Sequence, residues 1–481
     1  MGPARYGDPM RLLVVSTYEL GHQPLEAARA AAALRAAGHE VAVADQGTEQ
    51  VSEELLEWAE GLCVAVPMHT ALRLARALLA RAWTVRPGLP VCFFGLYAVV
   101  PTPGVAGVAG EYLADLVAWA ADPRPGPVRV SLQRQPEPLP DRRGFAPLAA
   151  FARFRSGDEE RLAAAVQASR GCAHRCRHCP VPVVYGGRTR PVPLDAVLAD
   201  VDQVVAAGAR HLSFSDPDFL NRPRHALQVV DALATSYPGL SFDVTVKIEH
   251  ILRFPEVWPR LAGAGCRFVT TALETVDDRV LARLAKGHTA AQAQEAIGVL
   301  RAAGIEPRPS LLPFTPWTTP GSLAELFDAV ARWDLLGNVD PVQFAVRLLL
   351  PPGSLLLSDP EVQACLAGYD DEALGWRWRS PDPRLDRLAT ELGELAETAA
   401  VEGWGCEQAD AALRSAAAAA LGLPELNRRP DPLPGLASSL PPDQRPHLTE
   451  AWFCCAEPTS AQLCRATVVP RAPVSVGETR R

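Results

Sequence analysis

The chain of 481 residues has no apolar run approaching the roughly 20 residues that a membrane span needs. Residues 1–10 lack the charged start and apolar stretch of a secretory signal. There is no basic excess to mark a nucleic-acid surface: 47 Lys and Arg stand against 55 Asp and Glu, a formal net charge of −8. No aromatic–basic patch and no carrier-domain feature names a partner. These absences predict a cytoplasmic protein with no membrane contact and no general nucleic-acid binding. With no export signal, the 11 cysteines fit metal binding in a reducing compartment better than a disulfide framework.

What is present begins with Cys172, Cys176 and Cys179, a C-x3-C-x2-C triplet in Ser169-Arg170-Gly171-Cys172-Ala173-His174-Arg175-Cys176-Arg177-His178-Cys179. Soft thiolates suit iron–sulfur clusters, and a short irregular loop can wrap three sulfurs around one cube. Electron-carrier clusters use four cysteines, whereas the next cysteine along this chain is Cys266. Three ligands therefore leave one iron of a cubane open to a reactant. A structural zinc site with His174 or His178 as fourth ligand is the alternative.

Preceded by Val166-Gln167-Ala168-Ser169-Arg170-Gly171, the triplet resembles the signature of radical S-adenosylmethionine (SAM) enzymes. The Ser-Arg-Gly-Cys lead-in is similar to the subgroup that carries an N-terminal cobalamin-binding domain. The resemblance implies a 4Fe-4S cluster whose fourth iron is chelated by the amino and carboxylate groups of SAM. It also implies reductive cleavage to a 5′-deoxyadenosyl radical, and an electron donor of flavodoxin or ferredoxin type.

Residues 1–121 alternate short apolar strands (11–15, 41–44, 62–66, 91–94) with helical patterns at 24–37 and 71–82. That alternation predicts an α/β, doubly wound parallel sheet with its ligand crevice at the strand carboxyl ends. Ala37-Gly38-His39-Glu40-Val41 and Phe94-Gly95 resemble the cobalamin-binding domain. Members that ligate cobalt through histidine carry D-x-H-x-x-G after the first strand, where this chain has Leu20-Gly21-His22-Gln23-Pro24-Leu25. His22 occupies the appropriate loop without the flanking Asp and Gly. Two readings stay open: cobalamin bound without a histidine ligand, and a degenerate domain holding no corrin.

Residues 122–158 are rich in Pro and Arg and read as an extended linker, with Arg142 and Arg143 solvated or paired with a neighbouring domain. Residues 159–353 show a second β/α series, with strands predicted at 211–215, 242–248, 268–272, 308–313 and 342–349. One helical face carries Leu323, Leu326, Phe327 and Val330. With the strand before the triplet this makes about six units, fewer than the eight of a closed barrel. The resemblance implies a partial (β/α)6 radical SAM barrel, whose ligands meet the strand carboxyl ends.

Asp216 and Asp218, after the second barrel strand, are therefore candidates to receive the ammonium of SAM, with a turn or N-cap role as the alternative. Glu274, in Thr271-Ala272-Leu273-Glu274-Thr275, is similar to the family's Gly-Leu-Glu-Ser pattern with Ala272 replacing glycine. It would contact the cosubstrate or orient its partner, and Lys247 could pair with a carboxylate inside the barrel. A buried structural Lys–Glu pair is the competing account. Lys286-Gly287-His288-Thr289 reads as a helix stop and restart with Thr289 as N-cap.

Residues 354–481 read as a helical region followed by a Pro-rich stretch, ending in Phe453-Cys454-Cys455-Ala456-Glu457-Pro458 with Cys464 nearby. This tail is similar to that of the radical SAM proteins named for a CCAEP or CUAEP ending. Adjacent thiols form a strained disulfide, so Cys454 and Cys455 suit catalysis, soft-ion binding or thiol exchange. Three functions follow. One is radical methyl or alkyl transfer, or rearrangement, on an unknown substrate with cobalamin. Another is radical chemistry without cobalamin on a thiol-captured soft element such as arsenic. The last is a non-enzymatic iron–sulfur or zinc protein with a structural or redox-sensing role.

Overall fold

The computed structural model describes residues 8–450. Leu12, Leu13, Val14 and Val15 are sealed from solvent on both faces of β1 (Arg11–Ser16), the pattern of a strand sandwiched between helices. It is joined by β2 (Glu40–Asp45), β3 (Gly61–Ala65), β4 (Val91–Phe94), β5 (Ala106–Gly110) and β6 (Arg129–Ser131). All pair in parallel, in the order β2-β1-β3-β4-β5-β6. Helices Leu25–Ala36 and His69–Val85 match the predicted 24–37 and 71–82. Two elements depart from expectation. β5, with the sequence AGVAG, carries too little branched side chain to read as a strand. β6 lies in the predicted linker and closes the sheet edge.

The linker is also held more tightly than its composition suggests. Arg142 is buried, with its guanidinium on both oxygens of Asp200 (3.2 and 3.0 Å) and on the Ala165 carbonyl at 2.8 Å. Arg143 stays exposed beside Asp141.

The second sheet curls into a half-barrel. Its parallel strands are β8 (Glu159–Val166), β11 (His211–Phe214), β12 (Ser241–Thr245), β13 (Cys266–Glu274) and β14 (Glu306–Leu311). β7 (Arg153–Ser156) and β17 (His447–Leu448) extend it antiparallel beyond β8. A short hairpin of β9 (Ser169–Gly171) and β10 (Thr189–Pro191) brackets the cysteine loop, and β15 (Leu366–Asp370) and β16 (Gly375–Trp378) form another.

The predicted sixth strand at 342–349 is reduced to a single bridge between Phe314 and Arg347. The 3-10 turn Pro341–Ala345 occupies its start, and the Gln343 side chain, in place of a ladder carbonyl, accepts the Leu311 N–H at 3.0 Å. Leu323, Leu326, Phe327 and Val330 are buried on helix Pro320–Arg332, whose Thr319–Ser322 capping box closes its first turn. Two alanine-rich helices, Pro383–Glu402 and Cys406–Leu421, pack behind this barrel. No helix among the described residues is long and apolar enough to cross a membrane.

Candidate active site at the cysteine loop

The half-barrel's strand ends converge on the loop that follows β9. Gly171 makes the sharp entry at φ 72, where a Cβ would stand 2.3 Å from the Arg188 carbonyl oxygen and 2.6 Å from the Tyr185 ring. Only glycine fits there. Asp216, after β11, anchors the strand feeding the loop, accepting from the Ala168 N–H at 2.9 Å and the Ser169 hydroxyl at 2.6 Å. Burial pushes its carboxyl up to about 7. Both of its oxygens are thus engaged by the chain itself. Asn221 holds the other side of the loop, accepting the Ala173 N–H at 3.0 Å.

Cys172 and Cys176 are buried and Cys179 is half-buried, and none is in a disulfide. Burial pushes the Cys172 thiol up to about 12. Cys176 is also raised by burial, but Lys286 and Lys247 pull it back toward the thiolate. Cys266 lies away from the loop, buried at the start of β13. Among the described residues the donor set is therefore three thiols without a fourth cysteine beside them, which fits a cubane with one open iron better than four-ligand zinc.

Glu274 ends β13 at φ 64, where the register with β14 shifts between Ala272 and Glu274. That irregularity turns its carboxylate inward. Lys286 approaches it at 2.9 Å and His178 Nε2 at 3.1 Å. Burial alone would raise Glu274, yet the Lys286 ammonium and the contacts from Lys286 and His178 outweigh it and hold the carboxyl far below its usual range. The buried Lys–Glu pair therefore belongs to Lys286. Lys247 instead meets Glu249 at 3.3 Å.

Asp218 is fully buried: its Oδ1 accepts the Leu220 N–H at 3.0 Å, and its Oδ2 faces His174 and His250. Six residues around this mouth keep a buried polar atom without a hydrogen bond: His174, His178, Asp218, Asn221, His250 and His288. Such atoms are costly unless a ligand completes them.

A second feature is a cleft between the two sheets, with about 980 Å³ of free space counted to its open mouth. Leu20 and His22 line it from the loop after β1, Met68 from that after β3, Gly95 from just after β4, and Gly110 from the end of β5. Gln167 and Arg170 line it from the barrel. This is the carboxyl-end crevice of the doubly wound sheet. His22 is half-buried with Nδ1 unpartnered, and burial lowers its pKa to about 4, so it is a neutral imidazole.

At the cleft's edge Arg170 clamps the domains, pairing with Glu111 at 2.8 Å and Glu137 at 2.6 Å, while Arg29 holds Glu137 at 2.9 Å. This clamp was invisible in sequence, because Glu111 follows the unpredicted β5. Cys454, Cys455 and Cys464 lie outside the described residues.

Residues 166–330 match the family model of the radical SAM superfamily, so the chain contains a radical SAM domain. That family implies a 4Fe-4S cluster and SAM as cofactors. Over 131 residues the chain is 24% identical to a hopanoid C-2 methylase of Rhodopseudomonas palustris (strain TIE-1), covering 26% of this chain and 25% of that one. Over 135 residues it is 24% identical to a bacteriochlorophyllide d C-12(1)-methyltransferase of Chlorobaculum tepidum (strain ATCC 49652 / DSM 12025 / NBRC 103806 / TLS), covering 27% and 29%. The chain thus spans little more than a quarter of these relatives' length. In fold it is similar to the cobalamin-dependent SAM radical enzyme OxsB, solved with aqua-cobalamin and SAM, at TM-score 0.62 and 14% identity. That likeness covers 81% of this chain and 66% of the other.

Proposed function

We propose that this radical SAM domain holds a 4Fe-4S cluster on Cys172, Cys176 and Cys179, and that the protein transfers a methyl or other alkyl group to a small-molecule substrate. The observation that carries the reading is the convergence of three thiols, without a fourth among the described residues, on a barrel mouth crowded with buried polar atoms that lack hydrogen bonds. The bound cluster supplies the electron that splits the sulfonium of SAM.

The chain's own residues prepare that step. Lys286 and Lys247 offset part of the burial cost of ionising Cys176, which favours the thiolate a ligand must be. Asp216 and Asn221 fix the loop on either side, which would limit the reorganisation that ligating a cluster requires. Glu274, kept ionised by Lys286 and His178, presents a fixed negative charge beside the loop for an amino or hydroxyl donor of SAM. Gln167 and Arg170 stand between the loop and the cleft, with polar groups for whatever the cleft holds.

The cleft suits cobalamin. It is walled by loops at strand ends and has Gly95 and Gly110 where a macrocycle must approach the backbone. His22 lines it without needing to be a cobalt ligand. Methyl transfer follows from a corrin there; without one, the cleft takes the substrate itself. Cys454 and Cys455 are assigned to substrate handling.

Anaerobic reconstitution tests the reading. About four irons per chain should bind, and SAM with a reductant of flavodoxin type should release 5′-deoxyadenosine. Stoichiometric zinc, or no cleavage, overturns it. Retention of a corrin chromophore, lost in Gly95→Trp, separates the cobalamin version from the other. Cys455→Ser should keep cleavage and lose product; unchanged product removes the tail's role.

A further inference from the structure

Asp218, His174 and His250 come from three neighbouring places at the barrel mouth. His174 lies in the cysteine loop, Asp218 follows β11, and His250 sits on helix Ile248–Arg253 after β12. His250 Nδ1 stands 2.8 Å and His174 Nε2 3.4 Å from the same carboxylate oxygen, Asp218 Oδ2. Those three atoms all lack a properly directed hydrogen bond. Asp218 Oδ2 is thus buried between two imidazoles without a well-directed hydrogen bond from either.

We propose that His174, Asp218 and His250 bind one divalent transition-metal ion, distinct from the cluster on the three cysteines. The two distances to the shared carboxylate oxygen match an ion inserted between the three residues. With nitrogen and oxygen ligands ~2.0–2.2 Å from a metal, neighbouring ligand atoms stand about 2.8–3.6 Å apart in octahedral to tetrahedral arrangements. The two contacts of 2.8 and 3.4 Å fall in that window, and one ligand atom from each of the three residues lies within 4.8 Å of the others. The imidazole rings are 4.6 Å apart and tilted by 57°, rather than stacked flat on each other.

The surroundings are those of a ligand set. The Leu220 N–H fixes Asp218 through Oδ1 at 3.0 Å, leaving Oδ2 as the coordinating atom. Glu249 Oε2 lies 3.5 Å from His174 Nδ1, the carboxylate–histidine pairing that orients metal-binding imidazoles and raises their basicity. Two nitrogens and one carboxylate select iron(II) or zinc over magnesium and calcium, which take oxygen cages. Three protein ligands leave at least one coordination position for water or substrate. The proposal moves Asp218 from an ammonium receptor to a metal ligand, and it ties the cysteine loop to two strand ends through one ion.

The test uses the full chain with its cluster reconstituted, washed with a chelator, then titrated with Co²⁺. One Co²⁺ per chain should bind, with visible d–d bands and no thiolate charge-transfer band. His250→Gln and Asp218→Asn should each weaken binding by about 10-fold or more. His174→Gln, on a separate element, repeats the test should a first variant fail to fold by circular dichroism. Absent binding, equal affinity in the variants, or thiolate bands alone overturn the proposal. Cluster iron and sulfide, measured on the same samples, report on Cys172, Cys176 and Cys179 separately. Loss of the cluster with Co²⁺ binding retained would therefore count against the proposed function and not against this site.

Discussion

The domain interface and the barrel mouth are both buried and rich in charge, but they are finished to different degrees. At the interface Arg170, Glu111, Glu137, Arg29 and Tyr185 complete one another through contacts between 2.6 and 3.3 Å. At the mouth His174, His178, Asp218, Asn221, His250 and His288 each retain an unpartnered atom. A satisfied network holds two parts in one geometry, whereas an unsatisfied one marks where something else is meant to bind. The two regions should therefore respond to mutation in opposite ways.

The sharpest contrast is in function. Cys176→Ser should lower cluster iron and 5′-deoxyadenosine release to background with the fold intact, measured by iron analysis, chromatography and circular dichroism. At the interface the effect should fall on stability. Arg170→Met leaves Glu111 as an uncompensated buried charge, while Glu137 keeps Arg29, a loss of about 3–5 kcal/mol in urea unfolding. A smaller stability loss there would mean that the domains are not clamped by this network.

Glu274 belongs to both classes, since it is satisfied by Lys286 and His178 yet faces the loop. Glu274→Gln should cost about 1–3 kcal/mol at neutral pH by leaving Lys286 without its counter-charge. The sign with pH follows from its lowered carboxyl. Its folded pKa lies below the ordinary value of 4.5, so the stabilisation is present above that value and is lost as pH falls below it. The difference in unfolding free energy between wild type and Glu274→Gln should accordingly shrink on acidification. A constant difference would place the stabilisation elsewhere.

Much of the barrel was legible because its strands and helices repeat with clean periods, and the cysteine triplet stood out as a local motif. What escaped was non-local or compositionally quiet. β5 is built of alanine, glycine and one valine, so its burial comes from its neighbours and not from its own pattern. The stretch 342–349 is apolar enough to be a strand, but the Gln343 side chain takes over one ladder partner. Lys286 read as part of a helix stop, and only the turn at Glu274 brings the two together. His174, Asp218 and His250 share no motif in the chain; adjacent strand ends assemble them. Asp216 and Asp218 looked equivalent in sequence, yet one is saturated by Ala168 and Ser169 and the other faces two imidazoles.

The smallest expected effect is also the most discriminating. His288 is buried with both ring nitrogens unpartnered, and burial, reinforced by Lys286, lowers its pKa to about 4. In an interface of satisfied contacts, replacing such a residue would expose an abandoned partner and cost stability. Here only a poorly directed backbone contact to Leu273 is given up, so His288→Leu should be neutral or stabilising, within about 1 kcal/mol of wild type in urea unfolding, because a poorly satisfied polar group is exchanged for an apolar one. If His288 faces a bound reactant, the same variant should raise the KM for SAM or the substrate while leaving cluster iron unchanged. A stability loss above about 2 kcal/mol would show that its nitrogens are satisfied in the folded protein by an ordered water, and would move His288 from the unfinished class to the finished one.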